Sequence, residues 1–269
     1  MSSLSILTAT YNRDSTLDRL FKSLCDQSNH EFEWIIVDDG STDSTEEKVS
    51  AFKDTSPFKI KYKFQSNSGK HVAINTGVPL CEHEYIFIVD SDDALTNDAT
   101  EIVKKGFEEY PNFSGYCYRK AYFDGKLIGK KTNLGVFTSR TQQAAKLFEG
   151  DLAYIFSKRA LVENPFPVVP DEKFVPEALV WGKISDRTQI LYFSEVPIYL
   201  CQYLPDGYTN NFKRNLLSNP RGFALFYKYD IFHGYGILRR IKSLIRYIQC
   251  CAYYSLRKLK INLTKTSLF

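Results

Sequence analysis

Apolar and polar positions along the first hundred residues alternate between two periods. LSILTA (4–9), FEWIIV (32–37), FKIKYKF (58–64) and YIFIV (85–89) are short apolar or alternating runs that read as strands. Between them Leu17, Leu20, Phe21 and Leu24 fall at helical spacing over 14–26, and Val72, Ala73 and Ile74 mark a short helix over 70–78. Asp43 and Glu46 have the spacing of a capping box that opens a helix running to about residue 52. Strand and helix in regular succession predict β-α-β units around a mostly parallel sheet.

Beyond residue 95 the pattern loosens. A helix is expected over 97–109, strands near 114–122 and 126–130, a helix near 140–148, and then a loop-rich stretch, NPFPVVPDEKFVPEALVWG. The change suggests a nucleotide-binding half, residues 1–95, followed by a half over 96–211 that receives a second substrate, with residues 212–269 as a helical tail.

Three of the early strands end in polar clusters: TATYNRD, DDGSTDS and DSDD. In an open α/β sheet the carboxyl edge of the strands is where ligands bind. Asp38 and Asp39 emerge where Gly40 turns the chain, a place suited to accepting hydrogen bonds from a ribose hydroxyl or a base, or simply to capping a turn. Asp90, Asp92 and Asp93 crowd the end of a buried-looking strand, which is unfavourable unless a metal ion, a basic side chain or solvent faces them. Carboxylates two apart on extended backbone point the same way and suit Mg²⁺ or Mn²⁺; a solvated turn is the plain alternative.

Composition narrows the setting. At 269 residues and 43% apolar the chain can build a substantial core. Six cysteines without C-x-x-C spacing, and no charged-then-apolar leader pattern, favour a reducing cytoplasmic setting without a zinc site. The net charge of +4 conceals a division: residues 207–269 hold twelve Lys or Arg against the single acid Asp230, leaving 1–206 at about −7. In 237–260 basic residues mix with Leu238, Ile241, Ile245, Ile248 and Ala252 on one helical side. Such a helix either lies on an anionic membrane or packs on the acidic body with its basic face in solvent. No nucleic-acid recognition module is evident.

In order and spacing, TATYNR, VDDGSTD, NSGKHVAINTG and VDSDD resemble the family 2 inverting glycosyltransferases of the GT-A fold, strongly over residues 3–95 and more weakly to about 211. The chain is similar in particular to bacterial transferases that build O-antigen or capsular repeat units on a lipid carrier. The resemblance implies an α/β fold with a Rossmann-like, nucleotide-sugar-binding mixed sheet flanked by helices, here with a helical basic extension. It further implies a UDP-sugar donor, a Mn²⁺ or Mg²⁺ ion, and a saccharide acceptor on a diphospho-lipid at the inner face of the cell membrane.

Carried onto this sequence, the implied donor site comprises Thr8, Ala9, Tyr11, Asp39, Gly69, Lys70, Asn75, Asp90 and Ser91. Tyr11 and Asp39 would contact the uracil, with Ala9 near the base. Gly69 would let the backbone approach the nucleotide, Lys70 and Asn75 would border the sugar or diphosphate, and Asp90 would hold the ribose or the metal. Asp92 would be the direct metal ligand, with Asp90 as its neighbour. A general base is needed for the acceptor hydroxyl. The family's second-half carboxylate maps to PDEKFVPEALVWGKI, with Glu177 first and Glu172 and Asp171 behind it; the usual acidic pair is missing because Ala178 follows Glu177. A carboxylate there also suits a helix start.

The Q-x-x-R-W pattern of processive members is absent, and YLPDGYTNN stands in its place, suited to a lid or to a plain turn. One sugar per encounter is therefore expected. A nucleotidyltransferase would carry a G-x-G-T-R loop, and a dehydrogenase G-x-G-x-x-G after a strand; neither is present. A non-catalytic subunit on the same fold is the remaining rival.

Overall fold

Strands buried on both faces must carry apolar residues at consecutive positions, and the amino-terminal strands do. In the computed structural model, which describes residues 4–202 and 211–266 with side chains to residue 258, β1 (Leu4–Thr10) and β2 (Phe32–Asp38) are buried along almost their whole length. Successive side chains point to opposite faces. Ile6, Trp34, Ile36 and Phe87 therefore fill one core against α1 (Asp14–Cys25) and α2 (Thr45–Thr55), while Leu7, Ile35, Val37 and Ile86 fill a second on the other side.

The chain continues through β3 (Lys59–Phe64), α3 (Lys70–Gly77), β4 (Tyr85–Ile88), β5 (Ala94–Leu95) and α4 (Ala99–Glu109). It then forms β6 (Gly115–Ala121), β7 (Val136–Ser139), α5 (Thr141–Phe148), β8 (Leu152–Ser157), α6 (Lys158–Glu163), α7 (Ala178–Arg187) and β9 (Ile190–Leu200). Three helices close the described chain: α8 (Phe212–Ser218), α9 (Pro220–His233) and α10 (Ile237–Thr266).

Among the described residues, nine strands make one mixed sheet in the order β3-β2-β1-β4-β8-β6-β9-β5, with β7 pairing β9. The first four strands in that order run parallel, as their β-α alternation predicts. β8 then joins β4 antiparallel and the second half folds back onto the first. The strand expected at 126–130 does not form; Leu127 makes only an isolated bridge to Ala121. The capping box expected of Asp43 and Glu46 does not form: Ser44 precedes α2 without a side-chain cap bond, and Asp43 instead accepts from Thr45 N at 3.2 Å and from Asp14 N at 3.1 Å, tying the starts of α2 and α1 together.

Strand ends align at one edge. Asp39 N donates to Thr10 O at 2.8 Å, Gln65 N to Asp38 O at 2.9 Å and Val89 N to Leu7 O at 3.0 Å, so β1, β2, β3 and β4 all deliver their following loops to the same side.

Candidate active site

That edge opens into a cleft of about 1150 Å³ whose walls include Ala9, Tyr11, Asp39, Gly69, Lys70, Asp90, Ser91, Asp92 and Glu177. Residues remote in sequence thus share one cavity, with the DSDD turn on its floor and the 173–178 loop across from it.

Asp38 and Asp39 leave β2 in different directions. Asp38 Oδ1 accepts from Ser41 N at 2.7 Å and Oδ2 from Tyr62 OH at 2.8 Å, so its carboxylate closes the turn at Gly40, where φ is +85°. Asp39 instead reaches the next loop, accepting from Ser68 N at 2.8 Å, Gln65 Nε2 at 2.7 Å and Gly69 N at 2.7 Å. It fixes the segment that leads into α3. Gly69 has φ +97°, and a Cβ there would lie 2.1 Å from Lys173 O. That position thus lets two backbone segments, at Gly69 and Lys173, pass close together.

Lys70 lies at the centre of the charged groups. Its ammonium pairs with Asp90 and lies 2.7 Å from Glu177 Oε1. Burial opposes the charged form of Lys70, but Asp90 and Glu177 more than reverse this and raise its pKa well above the usual lysine range. Burial likewise works against ionised Asp90, yet Lys70 and then Lys120 outweigh it and hold that carboxyl below the ordinary range. Asp92 is raised, by burial first and by the charge of Asp90 second. Asp93 is pushed up to about 7 by the same two causes. Tyr199 OH accepts from Asp90 N at 2.9 Å and donates to Asp93 Oδ2 at 2.7 Å, which turns Asp93 into the internal support of the turn.

Glu177 occupies the position just before α7. Its carbonyl receives Val180 N at 2.9 Å and Trp181 N at 3.0 Å, while its carboxylate makes no capping bond and faces Lys70 instead. The two runners-up are placed elsewhere. Glu172 is buried and accepts from Arg221 N at 3.0 Å and Gly222 N at 2.7 Å, satisfying free donors at the start of α9. Asp171 has φ +62°, offers its carbonyl to Arg257 and is not part of the cleft lining.

Two expected donor residues also fall outside the cavity. Thr8 is fully buried and accepts from Trp34 Nε1 at 3.0 Å. Asn75 exchanges a pair of hydrogen bonds with the backbone of Phe166, at 2.8 and 2.9 Å, bracing α3 against the loop after α6. Of YLPDGYTNN, Tyr203–Asn210 lie outside the described residues; Asn211 lines the cleft. The cavity adds Arg13, Lys120, Lys173 and Arg214, basic residues not singled out from sequence; His71, a histidine the sequence marks as a neighbour of the site, also lines it, and its buried ring has its pKa lowered chiefly by burial. Lys120 had a signal, since it ends a strand that reaches the same edge.

A divalent cation suits part of this arrangement. Among the described residues no three His, Cys, Asp or Glu side chains gather into a metal cage. What is present is Asp92, raised in pKa beside Asp90, a pairing of hard oxygens that an ion would relieve while taking its other ligands from phosphate and water. The donor set fits Mg²⁺ or Mn²⁺ as hard cations that would complete their coordination from outside the protein.

The sequence model described as glycosyl transferase family 2 matches residues 5–160, more than half of the chain. The chain belongs to that family. It is 26% identical over 204 residues to a Campylobacter jejuni GalNAc(5)-diNAcBac-PP-undecaprenol beta-1,3-glucosyltransferase, covering 74% of this chain and 65% of that protein. It spans about half or less of the length of other curated relatives it matches. The fold is similar to S. aureus TarS 1-349 in complex with UDP-GlcNAc (TM-score 0.70, 17% identity, 94% of this chain and 72% of that one). It is also similar to a Pyrobaculum calidifontis mannosyltransferase in complex with GDP-Man and Mn²⁺ (TM-score 0.62, 15% identity, 99% and 80% covered). The curled mixed sheet flanked by helices is the expected GT-A architecture.

Proposed function

We propose that this family 2 member is an inverting, metal-dependent, non-processive glycosyltransferase. It moves a hexose or N-acetylhexosamine from a UDP-sugar to a saccharide acceptor on a diphospho-lipid at the inner face of the cell membrane, forming a β-glycosidic bond. The observation that carries this reading is the pairing of one lysine, Lys70, with Asp90 on the donor side and Glu177 on the opposite wall, beside Asp92.

The uracil would lie near Ala9 and the exposed ring of Tyr11, over the loop that Asp39 holds in place. Asp92, with Asp90 beside it, would hold Mn²⁺ or Mg²⁺, which when bound supplies positive charge against the leaving diphosphate. Lys70 would border the same phosphates, and their negative charge competes with Glu177 for its ammonium.

Glu177 takes the proton of the acceptor hydroxyl, and the oxygen forms a bond to the sugar C1 on the face opposite the diphosphate. The C1–O bond to phosphate breaks and its electron pair leaves with UDP, so an α-linked donor yields a β product. The Campylobacter relative, named for a β-glucosyl transfer onto an undecaprenol-linked glycan, supports the acceptor class, and the UDP-GlcNAc complex of TarS supports the donor.

The test is a panel of UDP-sugars with Mn²⁺ against GlcNAc- and GalNAc-diphosphate lipid analogues, with UDP release and product anomer measured. A β-linked product from one UDP-sugar is expected. Retained configuration, or release only from another nucleotide sugar, would refute the mechanism or the donor respectively.

A further inference from the structure

The carboxy-terminal helix docks by one side and presents its apolar side outward. Ser243 and Cys250, seven residues apart and buried, mark the docked side of α10 against α9. Asp230, the one acid of the tail, clamps it by accepting from Ser243 Oγ at 2.5 Å and Arg239 Nε at 2.9 Å. Arg257 donates to Ser218 O at 3.0 Å, and Ser218 lines the cleft, so the helix is fastened to the rim of the active site.

Ile237, Leu238, Ile241, Leu244, Ile245 and Ile248 are all exposed, with Ile237 69%, Leu238 73% and Ile245 60% accessible. At 100° per residue they form a stripe centred roughly 180° from Ser243 and Cys250. Leu256 extends it, giving a run of roughly 28 Å along the axis. Contiguous apolar surface of this kind on a folded chain marks an interaction site. Its surroundings identify the partner: α10 carries no Asp or Glu in Ile237–Thr266, and Arg240, Lys242 and Lys258 flank the stripe. A protein groove would have to supply a long acidic border around an apolar floor. A bilayer of anionic lipid supplies both, headgroup charge for the flanks and acyl chains for the stripe.

We propose that α10 seats the protein on an anionic membrane by laying this outer stripe among the lipid headgroups, which holds the cleft rim close to the bilayer. The surface lies outside the cleft, and it shares with the proposed lipid-linked acceptor only the membrane, so it is measured without sugar substrates.

The full chain is sedimented with phosphatidylglycerol vesicles and with phosphatidylcholine vesicles at low and high salt. It should pellet with the first, weakly with the second, and less as salt rises. Ile241→Asp with Ile248→Asp should raise the lipid concentration for half-binding at least tenfold, and Lys242→Glu with Lys258→Glu should do so for phosphatidylglycerol alone. Both pairs are exposed, so thermal unfolding and turnover of a water-soluble acceptor should match the parent. A parent chain that stays in the supernatant with phosphatidylglycerol overturns the proposal, as does unchanged binding of the isoleucine pair. A dimer in light scattering that the isoleucine pair disperses, without vesicle binding, assigns the stripe to a second copy of the chain and also overturns it. Absent turnover with intact vesicle binding would count against the proposed reaction and leave the membrane surface standing.

Discussion

Lys70 Nζ lies 2.7 Å from Glu177 Oε1, joining the first residue of α3 to the residue that precedes α7. In the proposed reaction a donor diphosphate would compete with Glu177 for that ammonium, leaving the carboxylate free to face the acceptor hydroxyl.

Glu177→Gln should therefore lower turnover on the order of 10²- to 10⁴-fold while leaving the Kd for the nucleotide donor within about threefold. Donor binding by calorimetry and transfer rates on the same preparation check both halves. Glu172→Gln separates a base from a cap: it weakens the acceptor for two backbone N–H groups of α9 and should cost about 1–2 kcal/mol of stability. The protein that remains folded should keep most of its turnover.

Asp92→Asn removes the carboxylate whose pKa burial and Asp90 raise. UDP binding should lose its enhancement by Mn²⁺, and transfer should fall at least 10²-fold, with the thermal midpoint unchanged or higher because a crowded negative charge has gone. Titration of UDP with and without Mn²⁺ measures this, and near-parental turnover would remove Asp92 from the metal site.

Gly69→Ala places a methyl group 2.1 Å from Lys173 O at a backbone φ of +97°. Strain and overlap act together, and a loss of at least about 2 kcal/mol in denaturant unfolding is expected. Residual folded protein should show lowered turnover, because the displaced wall is the one that carries Glu177.

Glu33 makes acid stability a separate test, far from the cleft. Burial would raise its carboxyl, but Lys61 at 2.8 Å, with Glu82 N at 2.5 Å and Ser5 Oγ at 2.7 Å, outweighs burial and holds it below the usual value of 4.5. Above that value the carboxylate is ionised whether the chain is folded or not, and its stabilisation is complete. As pH falls through the lower folded value the folded chain is protonated too, and the contribution disappears. Glu33→Gln should be less stable by about 1–2 kcal/mol at pH 7 and should lose less on acidification below about pH 4.5. Denaturant midpoints at a series of pH values decide it.

The parts legible in sequence were those set by local periodicity. β1 to β4, α1 and α3 follow from apolar spacing, and the aspartates Asp39, Asp90 and Asp92 reach one cavity because parallel strands share a carboxyl edge. Partnerships across the chain were not legible. Nothing near Asn75 in sequence indicates Phe166, ninety-one positions away, and Thr8 is claimed by an indole on the neighbouring strand. Glu172 and Glu177 stand five residues apart in one loop; only their surroundings, the start of α9 for one and Lys70 for the other, separate a cap from a candidate base. The same limit held for the tail, whose apolar side was visible from its spacing but whose outward direction depends on Asp230, Ser243 and Cys250.

Tyr199 gives the two halves a shared component. Its hydroxyl, carried on β9, completes the hydrogen bonding of a turn built by β4, so the first ninety-five residues are not a self-contained cassette. A chimera joined near residue 160, where the family match ends, imports a foreign β9 and with it whatever side chain stands opposite Asp93. Interchange of carboxy-terminal halves among relatives is then constrained by one phenol, and grafts that preserve a hydroxyl at that register should keep the DSDD turn intact.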